Sequence, residues 1–194
     1  MKKILLIPGL LAFMVLHQGC TASKKSTVAG KNADITADFK NIKTYNWTAD
    51  IDNIPKDAIF IGPNNVLIFN NESTRQKIKD AIRYELDSRG YTAVPGTPDM
   101  LISFSVLEQP GKLRTTNGYV TLSSGEKVRT EDNVTYTDVK AGTLIINLTD
   151  AKSGRLIWQG FASGILQADQ VNDVAKVRQA VSTVFNQFKY NNLS

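Results

Sequence analysis

The chain has 194 residues, enough for one domain with a real core, and carries 23 Lys and Arg against 18 Asp and Glu. Its single histidine is His17 and its single cysteine is Cys20. Everything beyond Cys20 therefore lacks both residue types, which excludes histidine-based acid–base catalysis, Ser-His-Asp and Cys-His nucleophiles and Cys/His zinc sites.

Met1-Lys2-Lys3 opens the chain with two positive charges, and an apolar run follows from Ile4 to Leu16, broken by Pro8-Gly9. That run is short of the roughly 20 apolar residues a membrane-crossing helix needs. A basic start and a short apolar stretch form a cleaved secretory signal. The stretch ends in Leu16-His17-Gln18-Gly19-Cys20. This looks like a bacterial lipoprotein precursor, in which the cysteine receives a diacylglycerol thioether and the chain is cut before it. His17 stands where that class usually has an apolar residue, with Leu16 one place upstream. Residues 1–19 are read as the signal peptide and Cys20 as the lipidated residue, its partner being membrane lipid. A free thiol here would be a reactive liability in an exported protein, and acylation removes it. Several acyl chains anchor firmly where one binds marginally.

Removing residues 1–19 leaves 175 residues and takes Lys2, Lys3 and His17 with it, so the net charge falls from +5 to +3. The remaining basic residues are dispersed among acids, and nucleic acid is not an expected partner. Residues 20–32 are rich in Ser, Thr, Ala, Gly and Lys and are read as a flexible tether. No acidic run follows Cys20, so no surface-export signal is read there; the expected location is the cell envelope, lipid-anchored at the outer membrane and facing the periplasm.

A single domain is expected over residues 33–190. Phe39-Lys-Asn-Ile42-Lys-Thr-Tyr45-Asn-Trp47 reads as a strand with Tyr45 and Trp47 on one face, a core pair rather than a sugar-stacking platform. Residues 48–72 are irregular, with a short candidate strand at Val66-Leu67-Ile68-Phe69. Ser73-Thr-Arg-Gln76 is a capping box, Ile78, Ile82 and Leu86 recur at helical spacing, and Gly90 sits at the stop. The mixed charges on the other face of that helix read as a solvated surface.

A connector from Tyr91 to Asp99 leads to a strand at Met100–Val106. Residues 108–142, with turn signals at Pro110-Gly111, Asn117-Gly118 and Ser124-Gly125, read as one or two exposed hairpins. The strands Thr143–Leu148 and Arg155–Ala162 are joined through Asp150-Ala-Lys-Ser-Gly154, where Gly154 suits a positive φ. A closing helix places Val171, Val174, Val177, Val181, Phe185 and Phe188 three and four apart. The order implies an α+β fold: a two-layer sandwich with a mostly antiparallel sheet and two amphipathic helices on one face.

Phe39…Tyr45-Asn-Trp47, Leu86-Asp-Ser-Arg-Gly90-Tyr91, Pro98-Asp99 before Met100–Phe104, Gly142–Asp150 and Leu156-Ile-Trp158-Gln-Gly160 together resemble the bacterial lipoprotein family called domain of unknown function 4136. The resemblance implies a membrane-anchored, periplasm-facing α+β domain. It supplies no activity, cofactor or catalytic residue.

The expected function is a non-enzymatic binding or scaffold module of the cell envelope, with an envelope protein as its possible partner. No catalytic residue, cofactor or metal is assigned. Tyr119, Arg129, Glu131 and Tyr136 are the candidate partner surface, since loops on a rigid scaffold are where recognition sits, and solubilising turns are the equal alternative reading of the same residues. The alternative is a carboxylate-dependent envelope hydrolase, which needs two carboxylates roughly 5–10 Å apart in a cleft. Glu108, Glu131, Asp132, Asp138 and Asp150 are available to it, although Asp150 reads better as a turn residue. Asp132-Asn133 and Asp138 lack the spacing of a calcium loop.

Overall fold

The computed structural model describes residues 27–34, 36–48, 60–61, 72–107, 109–116, 119–121, 124, 127–129, 134–167 and 169–190. In chain order the elements are β1 (Ala29–Ala33), β2 (Thr44–Trp47), β3 (Phe60–Ile61), α1 (Glu72–Asp87), β4 (Thr92–Ala93), β5 (Met100–Leu107), β6 (Gly111–Thr116), β7 (Tyr119–Thr121), β8 (Lys127–Arg129), β9 (Val134–Val139), β10 (Thr143–Asp150), β11 (Leu156–Ala162) and α2 (Val174–Phe185). Six strands form one sheet in the order β1-β11-β10-β5-β2-β4. The pairings among β1, β11, β10 and β5 are antiparallel, whereas β2 runs parallel to both β5 and β4. A second sheet has the order β3-β6-β9, and β7 and β8 form a hairpin of their own.

Strand alternation divides the core into two clusters. Leu144, Ile146 and Leu148 of β10 join Met100, Ile102, Phe104 and Val106 of β5 in the main cluster, together with Ile78, Ile82 and Leu86 of α1 and Val177, Val181 and Phe185 of α2. The intervening Ile145 belongs to a second cluster with Leu107, Phe161, Leu113 of β6 and Val139 of β9. Residues 108–142 therefore contribute more than exposed hairpins, because Leu113 and Val139 are buried.

The helices form where the apolar spacing placed them, with shifts at their starts. α1 begins at Glu72, so Ser73 lies inside the helix instead of capping it, and its hydroxyl accepts from Lys77 Nζ at 3.0 Å. Its end is as expected: Gly90 adopts φ +83°, and Tyr91 N donates to Leu86 O at 3.2 Å. α2 begins three residues after Val171, where Asp173 accepts from the backbone of Ala175 and Lys176. Val174, its first residue, is exposed, while Val171 and Phe188 are buried just outside the helix.

Aromatic packing extends the main cluster. The Trp158 ring meets Phe188 edge-on at 5.1 Å and Phe185 at 5.8 Å, and Phe39 stacks on Tyr190 at 3.9 Å. Arg89 ties the helices together: it pairs with Glu85, donates to Phe185 O at 3.4 Å and lies over the Phe185 ring.

The sheet also starts earlier than the expected domain boundary. Ala29–Asn32, inside the segment read as tether, pair with β11 as far as Ala162. Nothing apolar in that stretch announces a strand; its hydrogen-bonding partner is the edge of β11. The candidate strand at Val66–Phe69 lies outside the described residues.

Candidate functional site

Three connections meet at one end of the six-stranded sheet: residues 34–43 between β1 and β2, residues 94–99 between β4 and β5, and residues 151–155 between β10 and β11. Each is built around an aspartate, a residue that folds the chain back by accepting hydrogen bonds from nearby backbone. Asp34 Oδ1 accepts from Thr36 N and Thr36 Oγ1 at 2.8 and 2.7 Å. Asp38 accepts from Lys40 N and from Asn41 Nδ2. Asp150 Oδ1 accepts from Ser153 N and Ser153 Oγ, both at 2.6 Å, and Gly154 completes the turn at φ +68°.

Asp99 joins two of these connections. Its Oδ2 accepts from Lys43 N, Thr44 N and Thr44 Oγ1 at 2.8, 2.8 and 2.9 Å, across 55 or 56 residues of sequence. This seats the start of β2 beside the start of β5, and Ala151 N then donates to Asp99 O at 2.9 Å.

Between the three connections lies a groove of about 540 Å³, within the size range of small-molecule sites. Ile42 and Ile157 are its buried floor, and Asp38, Asp99, Asp150, Lys152 and Arg155 stand around it. Arg155 reaches Asp34 at 3.7 Å. The Lys43 and Thr44 amides hold the Asp99 carboxyl below the usual range, and the Ser153 hydroxyl and amide do the same for Asp150. Both are ionised acceptors at neutral pH, whereas a general acid needs a carboxyl held up toward neutrality.

The candidate partner residues are only partly brought together. Tyr119 and Arg129 stand directly opposite each other in the β7–β8 hairpin. Tyr136 lies on β9, opposite Arg114 in the other small sheet, and is exposed. Glu131 lies outside the described residues, as do Cys20, Glu108 and Asp132. Asp138 is exposed on β9 and pairs with Lys112 at 3.5 Å, away from the groove. Of the hydrolase carboxylates among the described residues, Asp150 lines it and Asp138 does not. Asp34, Asp38, Asp99 and Arg155 were not singled out from sequence; Asp99 stood between Pro98 and a strand, a turn signal without a visible partner. Among the described residues no group of three or more His, Cys, Asp or Glu is placed to hold a metal ion, and no helix is long and apolar enough to cross a membrane.

Fold and groove define a mixed α/β domain with a mostly antiparallel sheet, two helices and a loop-built recess at one end. The chain belongs to the family described as Domain of unknown function (DUF4136), whose model matches residues 30–188. Among solved structures it is similar to a DUF4136 family protein from Bacteroides thetaiotaomicron, at 16% identity and a TM-score of 0.49, over 84% of this chain and 96% of that one. It is also similar to a PDZ domain protein from Parabacteroides distasonis, at 18% identity and a TM-score of 0.47, over 84% of this chain and 35% of that one. A third similar structure is the PelC dodecamer from Paraburkholderia phytofirmans, at 9% identity and a TM-score of 0.45, over 86% of this chain and 99% of that one. No curated protein matches the chain.

Proposed function

We propose that this chain is a lipoprotein of the cell envelope, held at the periplasmic side of the outer membrane through acylated Cys20, and that its folded domain is a binding or scaffold module and not an enzyme. The observation that carries the anchoring is the run of Lys2, Lys3, a short apolar stretch and Gly19-Cys20. The first strand begins at Ala29, so eight residues connect it to Cys20. Fully extended they span at most about 29 Å, which keeps the domain beside the bilayer.

The binding reading draws support from the groove. Its carboxylates Asp99 and Asp150 serve as ionised acceptors that hold loops, and three loops fixed in this way present a rigid recess of mixed charge. The architecture behind this reading is a two-layer sandwich with both helices on one face of the large sheet. Its support is that alternate residues of β10 share a buried cluster with α1 and α2, while Ile145 does not.

In-cell photocrosslinking from position 152 at the groove and position 136 on β9 tests the role. A discrete envelope protein crosslinked from one position, and lost on charge reversal at the neighbouring Arg155 or Arg114, is expected. Recovery of the chain alone from both positions contradicts the scaffold reading, and release of reducing sugar ends from envelope glycan by the purified domain replaces it with the hydrolase.

A further inference from the structure

The sheet face that carries Ile145 and Phe161 is not apolar throughout. Four polar residues lie side by side across four strands: Asn32 on β1, Gln159 on β11, Asn147 on β10 and Ser103 on β5. Each is opposite the next in register, and none is more than 3% exposed. Residues placed this way are cross-strand neighbours, with Cβ atoms about 4.5–5.5 Å apart.

Two links of a hydrogen-bonded row are in place, and both run the same way. Gln159 Nε2 donates to Asn147 Oδ1 at 2.8 Å, and Asn147 Nδ2 donates to Ser103 Oγ at 3.3 Å. Each amide thus donates toward β5 and leaves its oxygen on the β1 side. The next acceptor along the row is Gln159 Oε1, and the next donor is Asn32 Nδ2. Neither has a hydrogen-bond partner among the described residues. One bond between them continues the pattern across all four strands.

Beyond its backbone pairing β1 is held by small contacts: the Phe161 ring lies against Gly30, and Arg155 pairs with Asp34 just past the end of the strand. Its apolar contribution to the main cluster is Ala29 and Ala33, both only partly buried. Gly30 offers no side chain, and Lys31 is exposed. Every other long strand of the sheet brings Leu, Ile, Phe or Trp. A buried amide opposes docking when unpaired and favours it when paired, so its state weighs heavily on a strand this lightly packed.

We propose that β1 is a releasable clasp, locked onto β11 by a side-chain hydrogen bond from Asn32 Nδ2 to Gln159 Oε1. Release of Ala29–Asp34 adds six residues, about 20 Å, to the reach of the domain from its N-terminal attachment. That consequence rests on the anchoring proposed above; the clasp itself does not.

Hydrogen exchange on the purified domain, read by mass spectrometry and residue-resolved NMR, tests it without any acyl chain. The Asp34 amide, which donates to Ile157 O, and the Ser163 amide, which donates to Val28 O, report on β1. In the wild-type protein both are expected to exchange at least tenfold faster than amides between β10 and β5. Asn32→Ala, and Asn32→Asp with its donor removed, each raise the β1 rate about tenfold more and leave β10 and β5 unchanged. Three results overturn the proposal: wild-type β1 exchanging as slowly as β10, an Asn32→Ala rate equal to wild type, or a slower one, which means the amide is unpaired.

Discussion

Gly160 stands in β11 with no room for a side chain. A Cβ built there meets Trp158 Cη2 at 2.2 Å, Trp158 Cζ2 at 2.6 Å and Val184 Cγ1 at 2.7 Å. The indole cannot swing away, because Trp158 is fully buried between Phe185 and Phe188. Two terms of opposite sign decide the effect of Gly160→Ala. Replacing a strand glycine recovers about 0.5–1 kcal/mol of backbone entropy. Overpacking a closed core costs about 1–3 kcal/mol, and contacts this short against a ring with no free volume belong at the upper end. The expected net loss is about 2 kcal/mol, a fall in Tm of roughly 4–8 °C for a domain of this size. Urea unfolding followed by tryptophan fluorescence measures it, with Gly96→Ala as the control, since nothing lies within 4 Å of a Cβ there. A Gly160→Ala protein as stable as wild type would refute the packing account of β11 against α2.

Further predictions concern single contacts. Gly142→Ala places Cβ 1.7 Å from Leu166 O on a backbone at φ +74°, and is expected to cost about 3 kcal/mol or more, seen as loss of soluble, cooperatively unfolding protein. Tyr45 is buried and its hydroxyl donates to Asp87 Oδ1 at 2.8 Å, tying β2 to the end of α1; Tyr45→Phe is expected to lose about 1–2 kcal/mol in urea unfolding at pH 7. Burial first, and then Asp87, holds that phenol well above its ordinary range, so Tyr45 should give no phenolate absorbance before alkaline unfolding. Asp99 and Asp150 are both depressed in the folded state, so the stability they contribute is complete above the unfolded aspartate value of about 3.9 and is lost as pH falls through their lower folded values. Asp99→Asn should therefore lower the urea midpoint at pH 6 and flatten its decline between pH 5 and pH 2; an unchanged slope counts against the Lys43–Thr44 clamp.

The elements legible in the sequence are those whose signal is local. Ile78, Ile82, Leu86 and Gly90 announce α1 and its end, and Asp150 with Gly154 announces the β10–β11 turn, because capping and turn chemistry act within a few residues. β1 was not legible: Ala29-Gly-Lys-Asn-Ala33 has neither period nor bulk, and it is a strand because β11 offers it an edge. The sheet of β6 and β9 looks in sequence like exposed hairpins because Leu113 and Val139 are single apolar residues in polar runs, and the cluster with Ile145 and Phe161 reveals their burial. The groove was hidden for a related reason. Asp38, Asp99 and Asp150 each look like ordinary turn residues, and the bonds that bring their loops together, Lys43 to Asp99 and Ala151 to Asp99, span tens of residues. Tyr119 and Arg129 do meet in register, whereas Tyr136 belongs to a different sheet, a distinction that strand pairing alone decides.

The most direct measurement is mass spectrometry of the mature N-terminal peptide from the membrane fraction of cells producing the full chain, alongside Cys20→Ser. The account predicts a peptide beginning at Cys20 and carrying acyl mass, with the Cys20→Ser chain uncleaved or released from the membrane. A mature peptide that begins elsewhere, or an unmodified Cys20 thiol, would contradict it.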